Sequence, residues 1–147
     1  MENYQLPTQT RIGHVHLKVA NIDKALSFYV DLLGFEVMER MGDQAVFISA
    51  GVYHHHIGLN TWYSKGAPPA PKRQVGLFHT AILNPTRKDL SEILHRLMKH
   101  EYPLTGTANH GVSEAIYLDD PDGNGVELYW DRHRDQWPQK ADGSMEI

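Results

Sequence analysis

Apolar and polar residues alternate over residues 11–19, the two-residue period of a strand with one buried face. Directly after it, Ala25, Phe28, Tyr29, Leu32 and Leu33 fall at i, i+3, i+4, i+7 and i+8. That spacing predicts an amphipathic helix, opened by Asn21 and closed near Gly34. Strand-like runs follow at residues 35–41, 44–50 and 53–62. The same order then returns. Residues 75–83 read as a strand, and Leu90, Ile93, Leu94, Leu97 and Met98 repeat the helical stripe at a single offset of 65 residues. Further strand-like runs lie at 102–105, 115–118 and 125–130, with Asp-Pro-Asp-Gly-Asn-Gly (120–125) as the hairpin turn before the last of them.

A five-position match at one offset, with more strands after it in both halves, points to a duplicated βαβββ module. The expected fold is α+β: two tandem βαβββ modules forming one domain, with a curved, mainly antiparallel mixed sheet around a shared concave cavity. Residues 1–10 form an N-terminal tail. The domain runs over 11–131, with module 1 at about 11–63, a linker at 64–74 and module 2 at about 75–131. The linker carries three prolines and a glycine, which punctuate regular structure. Residues 132–147 form a C-terminal tail that Trp137 is placed to anchor.

Composition narrows the chemistry. A length of 147 residues suits one domain, and no cysteine is present, which removes disulfides, thiolate nucleophiles and Cys-based metal sites. Eighteen acidic against fourteen basic residues give a formal charge of −4, the wrong balance for a nucleic-acid partner. No apolar run approaches the roughly 20 residues of a membrane span, and residues 1–10 lack the look of a signal peptide, so the expected location is the cytoplasm. Ten histidines without a cysteine mean that any transition-metal site must use imidazole and carboxylate, ligands suited to iron, manganese, nickel or zinc.

The offset sorts those histidines. His14 and His16 share a strand face, so parity alone does not separate them, but 65 residues beyond His14 stands His79, and beyond His16 stands Ala81. Glu127, set between Val126 and Leu128 in the last strand-like run, would be costly among core residues unless paired or bound to a metal. His14, His79 and Glu127 are therefore the candidate ligands of a metal-centred cavity, a two-histidine, one-carboxylate set that leaves positions open on an octahedral ion. The corresponding residue of the first module is Gly58, so a fourth ligand, a carboxylate, is missing. His56, two residues upstream, is a candidate fourth ligand.

At these residues the sequence resembles the vicinal oxygen chelate superfamily, which includes glyoxalase I, extradiol ring-cleaving dioxygenases and bleomycin-binding proteins. The resemblance rests on His14-Val-His-Leu-Lys-Val, Phe28-Tyr29, Leu33-Gly34-Phe35, His79-Thr-Ala-Ile and Asp120-Pro-Asp-Gly-Asn-Gly-Val-Glu127-Leu, spread over roughly residues 11 to 131. Glyoxalase I carries a carboxylate where this chain has Gly58, whereas type I extradiol enzymes use two histidines and one glutamate. Their motif is similar to His110-Gly-Val-Ser-Glu-Ala-Ile-Tyr117 here.

The resemblance implies an extradiol-type dioxygenase that uses Fe(II), with Mn(II), Ni(II) or Zn(II) as other divalent candidates, and that opens a catecholic ring with O2. Its partners would be a small aromatic substrate and O2, and modules of this kind also pair across chains, which admits a homodimer. His55 would be the acid–base residue, with His54 and His56 open as alternatives, because an imidazole near pKa 6.5 takes and returns a proton at neutral pH. Tyr117 would hydrogen-bond a substrate oxygen and His110 would position or polarise the ring. A glyoxalase-type lyase or isomerase, and a non-catalytic drug-sequestering protein, are the competing functions. Many extradiol enzymes also carry a second, metal-free pair of modules, and this chain has one pair.

Overall fold

Residues 2–146 are described by a computed structural model. In chain order the elements are β1 (Val15–Lys18), α1 (Ile22–Leu26, continued by a wider helical segment, Ser27–Leu32), β2 (Glu36–Met41), β3 (Ala45–Ser49), β4 (Ile57–Asn60), β5 (Thr80–Leu83), α2 (Arg87–Lys99), β6 (Gly106–Asn109), β7 (Ser113–Asp119) and β8 (Gly125–Asp131). They form two four-stranded sheets ordered β1-β4-β3-β2 and β5-β8-β7-β6. In each sheet the first strand runs parallel to the last and the remaining pairs are antiparallel. The duplicated α+β architecture is thus as expected, and the mixed sheet comes as two halves. β1 and β5, like the starts of α1 and α2, stand 65 residues apart.

Local chemistry sets the helix ends. The Asn21 side chain accepts a hydrogen bond from the Lys24 amide at 2.9 Å, while Thr86 and Asp89 close a reciprocal capping box at the start of α2. Past Leu26 the first helix widens, and the Leu33 amide reaches the Phe28 carbonyl, five residues back, at 2.9 Å. Its whole apolar stripe is buried, whereas Met98, at the end of the second stripe, is 64% exposed.

A polar junction locks the modules together. The turn at 120–125 wraps around Asp120, which is 4% exposed and accepts hydrogen bonds from the Asp122 and Asn124 amides and the Asn124 side chain. Its remaining donor comes from the other module: Tyr29 Oη donates to Asp120 Oδ2 at 2.8 Å. Beside it the Ala20 amide donates to Asp122, and Arg96 on α2 donates to the Leu32 and Asp31 carbonyls at the end of the first helix.

Four expected strands sit differently. The run at 102–105 precedes the real strand β6, which lies in Gly-Thr-Ala-Asn, a half-exposed sheet edge whose small side chains carry no apolar period. The run at 53–62 narrows to Ile57–Asn60, so the histidines at 54–56 lie in the bend before β4 and not inside a strand. The first strand of each module also begins later than its alternating pattern, at Val15 and at Thr80. Val75, Leu77 and Phe78 are exposed, Phe78 at 89%. The C-terminal tail folds back, with Trp137 Nε1 donating to the Arg132 carbonyl at 2.7 Å.

Candidate metal and catalytic site

The strand pairing creates two matching rows of side chains, one per module. In module 2, Ala81, Glu127 and Tyr117 are direct neighbours across β5, β8 and β7, so they share one face. In module 1 the equivalent row is His16, Gly58 and Phe47 across β1, β4 and β3. The register therefore pairs Gly58 with Glu127, as the sequence alignment has it. The residue one step before each first strand is a histidine, His14 or His79.

Module 2 gathers four predicted site residues into one connected set. His79 Nε2 lies 2.9 Å from Glu127 Oε2, Tyr117 Oη donates to Glu127 Oε1 at 3.3 Å, and His110 Nε2 lies 2.7 Å from the same phenol oxygen. Since the phenol has one proton and gives it to Glu127, the compatible tautomer has His110 donating to Tyr117. Burial, with the Glu127 charge adding to it, raises the Tyr117 pKa, so the phenol stays protonated and able to donate. Gly125 sets the approach of His79 to β8. A Cβ there would fall 2.3 Å from the Phe78 carbonyl oxygen and 3.2 Å from the His79 Cβ, so no side chain fits.

Module 1 holds the other candidates. His14 packs on His55 at a ring separation of 4.3 Å, His54 and His55 place their Nδ1 atoms 2.7 Å apart, and His55 lies 5.1 Å from Phe47. Desolvation, together with the neighbouring imidazoles His14 and His54, lowers the His55 pKa, which favours its neutral form. His56 turns away into the β3–β4 connection, where its Nδ1 accepts from the Ala50 amide at 3.2 Å and meets Ser49 Oγ at 2.9 Å. Its place in the structure is thus the turn, with Nδ1 occupied.

His79 Nδ1 is buried without a hydrogen-bond partner, so this histidine lacks the two-sided satisfaction usual for a structural one. Among the described residues its polar partner is Glu127, itself a candidate ligand. A nitrogen and a carboxylate oxygen converging in this way fit a hard or borderline divalent cation. His14 stands in the other module beside His55, and among the described residues no three His, Asp or Glu side chains surround a single point.

His16, the histidine that the 65-residue offset sets aside, has a structural place. It packs across Gly58, where an added Cβ would fall 2.9 Å from its Cγ, and its ring also contacts Phe47 and Trp62 at 5.8 and 5.6 Å. The space a fourth, carboxylate ligand would take at this position is thus filled by imidazole. A glycine inside an apolar strand was the available signal, because such a glycine often marks a close approach.

A sequence model of the Glyoxalase/Bleomycin resistance protein/Dioxygenase superfamily matches residues 11–128. The chain belongs to this superfamily. It is 39% identical over 136 residues to the Catechol-2,3-dioxygenase of Bacillus subtilis (strain 168), covering 92% of this chain and 46% of that protein. It is 31% identical over 121 residues to Biphenyl-2,3-diol 1,2-dioxygenase 3 of Rhodococcus globerulus, covering 82% of this chain and 63% of that one. The chain thus spans about half to under two thirds of the length of these relatives. Among solved structures the superfamily fold recurs in a glyoxalase/dioxygenase from Nostoc punctiforme, with a TM-score of 0.70 at 16% identity over 90% of this chain and 99% of that one. It recurs again in Lactoylglutathione lyase from Agrobacterium tumefaciens, with a TM-score of 0.66 at 23% identity over 84% and 96% of the two chains. No helix among the described residues is long and apolar enough to cross a membrane.

Proposed function

We propose that this chain carries out extradiol-type dioxygenation, opening a catecholic ring with O2 at a divalent metal, Fe(II) first among the candidates. The observation that supports it most is the connected set His79–Glu127–Tyr117–His110, in which a ligand pair is joined to a phenol and an imidazole. Superfamily membership and the named activities of the two relatives support it as well.

His79, Glu127 and His14 would hold the metal. When bound, such an ion brings a vicinal diol and O2 together and lets electron density pass between them. The protein supplies the protons. His55, neutral and packed on His14, takes a phenolic proton and later returns it. With Glu127 given over to a metal, Tyr117 would turn its one hydroxyl proton from that carboxylate to a substrate oxygen, and His110, donating to the phenol oxygen, would fix its orientation from behind. In the overall reaction the ring bond beside the diol breaks and both atoms of O2 enter the product, so no external reductant is consumed.

A homodimer fits the exposed area. The chain exposes 10,743 Å², whereas a compact monomer of this mass exposes about 7,600 Å². The excess is larger than the roughly 800 Å² per partner that a standard interface covers. Sedimentation at micromolar concentration should give a dimer mass, and a monomer would remove this part of the proposal.

The decisive experiment is anaerobic loading with Fe(II), followed by O2 uptake and the absorbance of a yellow ring-opened product across a panel of catechols. Turnover of at least one catechol with one O2 consumed per product is expected. No O2 uptake across the panel, with turnover of a hemithioacetal under Ni(II) or Zn(II), would overturn the reading in favour of a glyoxalase-type lyase.

A further inference from the structure

His110 stands in the turn between β6 and β7, one step past the last paired residue of β6. Its amide donates to the Ser113 carbonyl at 2.9 Å, and the Gly111 amide donates to Asn109 Oδ1 at 3.0 Å. Gly111 itself has a φ of +80°, which only glycine adopts freely. A short surface turn with so few bonds of its own is mobile by default. Yet the His110 ring has to keep Nε2 at 2.7 Å from the Tyr117 oxygen.

The missing stiffness comes from the chain just beyond β8. Arg132 Nε donates to the Gly111 carbonyl at 3.0 Å, and Arg132 Nη2 donates to Asn109 Oδ1 and to Glu114 Oε1, both at 3.2 Å. The Arg132 amide donates to the Val112 carbonyl at 2.8 Å. One residue thus holds the turn on both sides of its tip. The fork is braced in turn, because Trp137 Nε1 donates to the Arg132 carbonyl at 2.7 Å and the guanidinium lies 5.9 Å from the centre of the Trp130 ring. Next in the tail, Pro138 packs on Gly111, where an added Cβ would fall 2.8 Å from the Pro138 Cγ. Arg87, by contrast, binds the other oxygen of Glu114 from α2, outside the turn.

We propose that Arg132 is a positioning residue of the candidate site: through Gly111 and Asn109 it fixes the His110 ring against the Tyr117 hydroxyl, with Trp137 and Pro138 of the C-terminal tail as its brace. The assignment rests on the dioxygenase reading for what His110 does, and not for how its ring is held. A lysine cannot replace the fork, since one ammonium does not span the Gly111 carbonyl and the Asn109 and Glu114 side chains in a fixed plane.

The metal-free chain gives the first readout. In 15N-histidine spectra at about pH 8, where imidazole is neutral, the native His110 should show a single tautomer protonated at Nε2, with His110→Gln assigning its signals. Arg132→Gln and Arg132→Lys should each turn His110 into a mixture of both tautomers. Arg87→Gln, which loosens the same Glu114 from α2, should leave the single tautomer in place. In the Fe(II)-loaded chain both Arg132 variants should lose about tenfold or more in kcat, with KM little changed and metal content equal to that of the native chain. Circular dichroism identifies the folded variants, and Asn109→Ala, which removes one acceptor of the fork, carries the test if neither Arg132 variant folds. A single His110 tautomer in these folded variants, an equal change in Arg87→Gln, or an undiminished kcat would overturn the positioning role. A tautomer change with no ring cleavage even by the native chain would support the positioning role and count against the dioxygenase reading alone.

Discussion

Replacing Tyr29 by Phe removes one hydroxyl from the buried junction between the modules. That hydroxyl donates at 2.8 Å to Asp120 Oδ2, on a carboxylate only 4% exposed. A hydrogen bond to a charged group contributes about 1.5–3 kcal/mol. The Asn124 side chain still donates to the same oxygen, and two amides still serve Oδ1, so the loss should fall near the lower end, about 1.5–2 kcal/mol. For a chain of this size that lowers Tm by about 3–8 °C. Urea unfolding should show a lower midpoint at an unchanged slope. The matched comparison is Tyr102→Phe, whose hydroxyl donates to the neutral Asp119 carbonyl and should cost only about 1 kcal/mol. If Tyr29→Phe costs no more than Tyr102→Phe, the charged hydrogen bond contributes nothing beyond a neutral one and the reasoning is refuted.

Three further outcomes follow from the same geometry. Burial first, and the Asp120 carboxylate second, raise the pKa of Tyr29, and burial with the same carboxylate pushes that of Tyr102 up to about 12. Each folded value lies above the unfolded value near 10, so this stability is fully present below about pH 10 and is lost as the pH climbs towards 12. Phenolate absorbance and circular dichroism should then change together; full tyrosine ionisation in a still-folded chain would contradict it. Gly125→Ala places a methyl against the Phe78 carbonyl and should cost about 3 kcal/mol or abolish folding, read by urea midpoint. Glu127→Ala should abolish metal uptake measured by atomic emission, whereas His55→Ala should retain metal and lose about 10²–10⁴ in kcat; equal metal loss in both would make His55 a ligand instead of a base.

The repeat was legible because each module folds by its own local pattern. Strand, cap and apolar stripe recur at one offset, and β1, β5 and both helix starts obey it. Alignment of Glu127 with Gly58 was also readable, since both lie in the last strand of their modules. What the chain could not display was which residues become neighbours across strands. The row His16–Gly58–Phe47 joins three segments through register, and register depends on pairings between residues 16 and 58 that no local period records. β6 escaped for a different reason: an edge strand of glycine, threonine, alanine and asparagine buries too little to leave an apolar signature. The histidine triplet looked like strand because three imidazoles continue the bulk of the following Ile57, while the chain bends there to hold His56 on Ala50 and Ser49.

The Tyr29–Asp120 bond also orders events during synthesis. Sheet β1-β4-β3-β2 needs only residues up to Asn60, so it can close while the second module is still being made. Until Asp120 leaves the ribosome, the Tyr29 hydroxyl has no carboxylate to meet, and the helix face around it stays open. At about 5–20 residues per second, that interval lasts several seconds, long compared with the folding of a small module. The nascent first half therefore passes through a stage in which its own chain has yet to supply the partner for a fully buried hydroxyl.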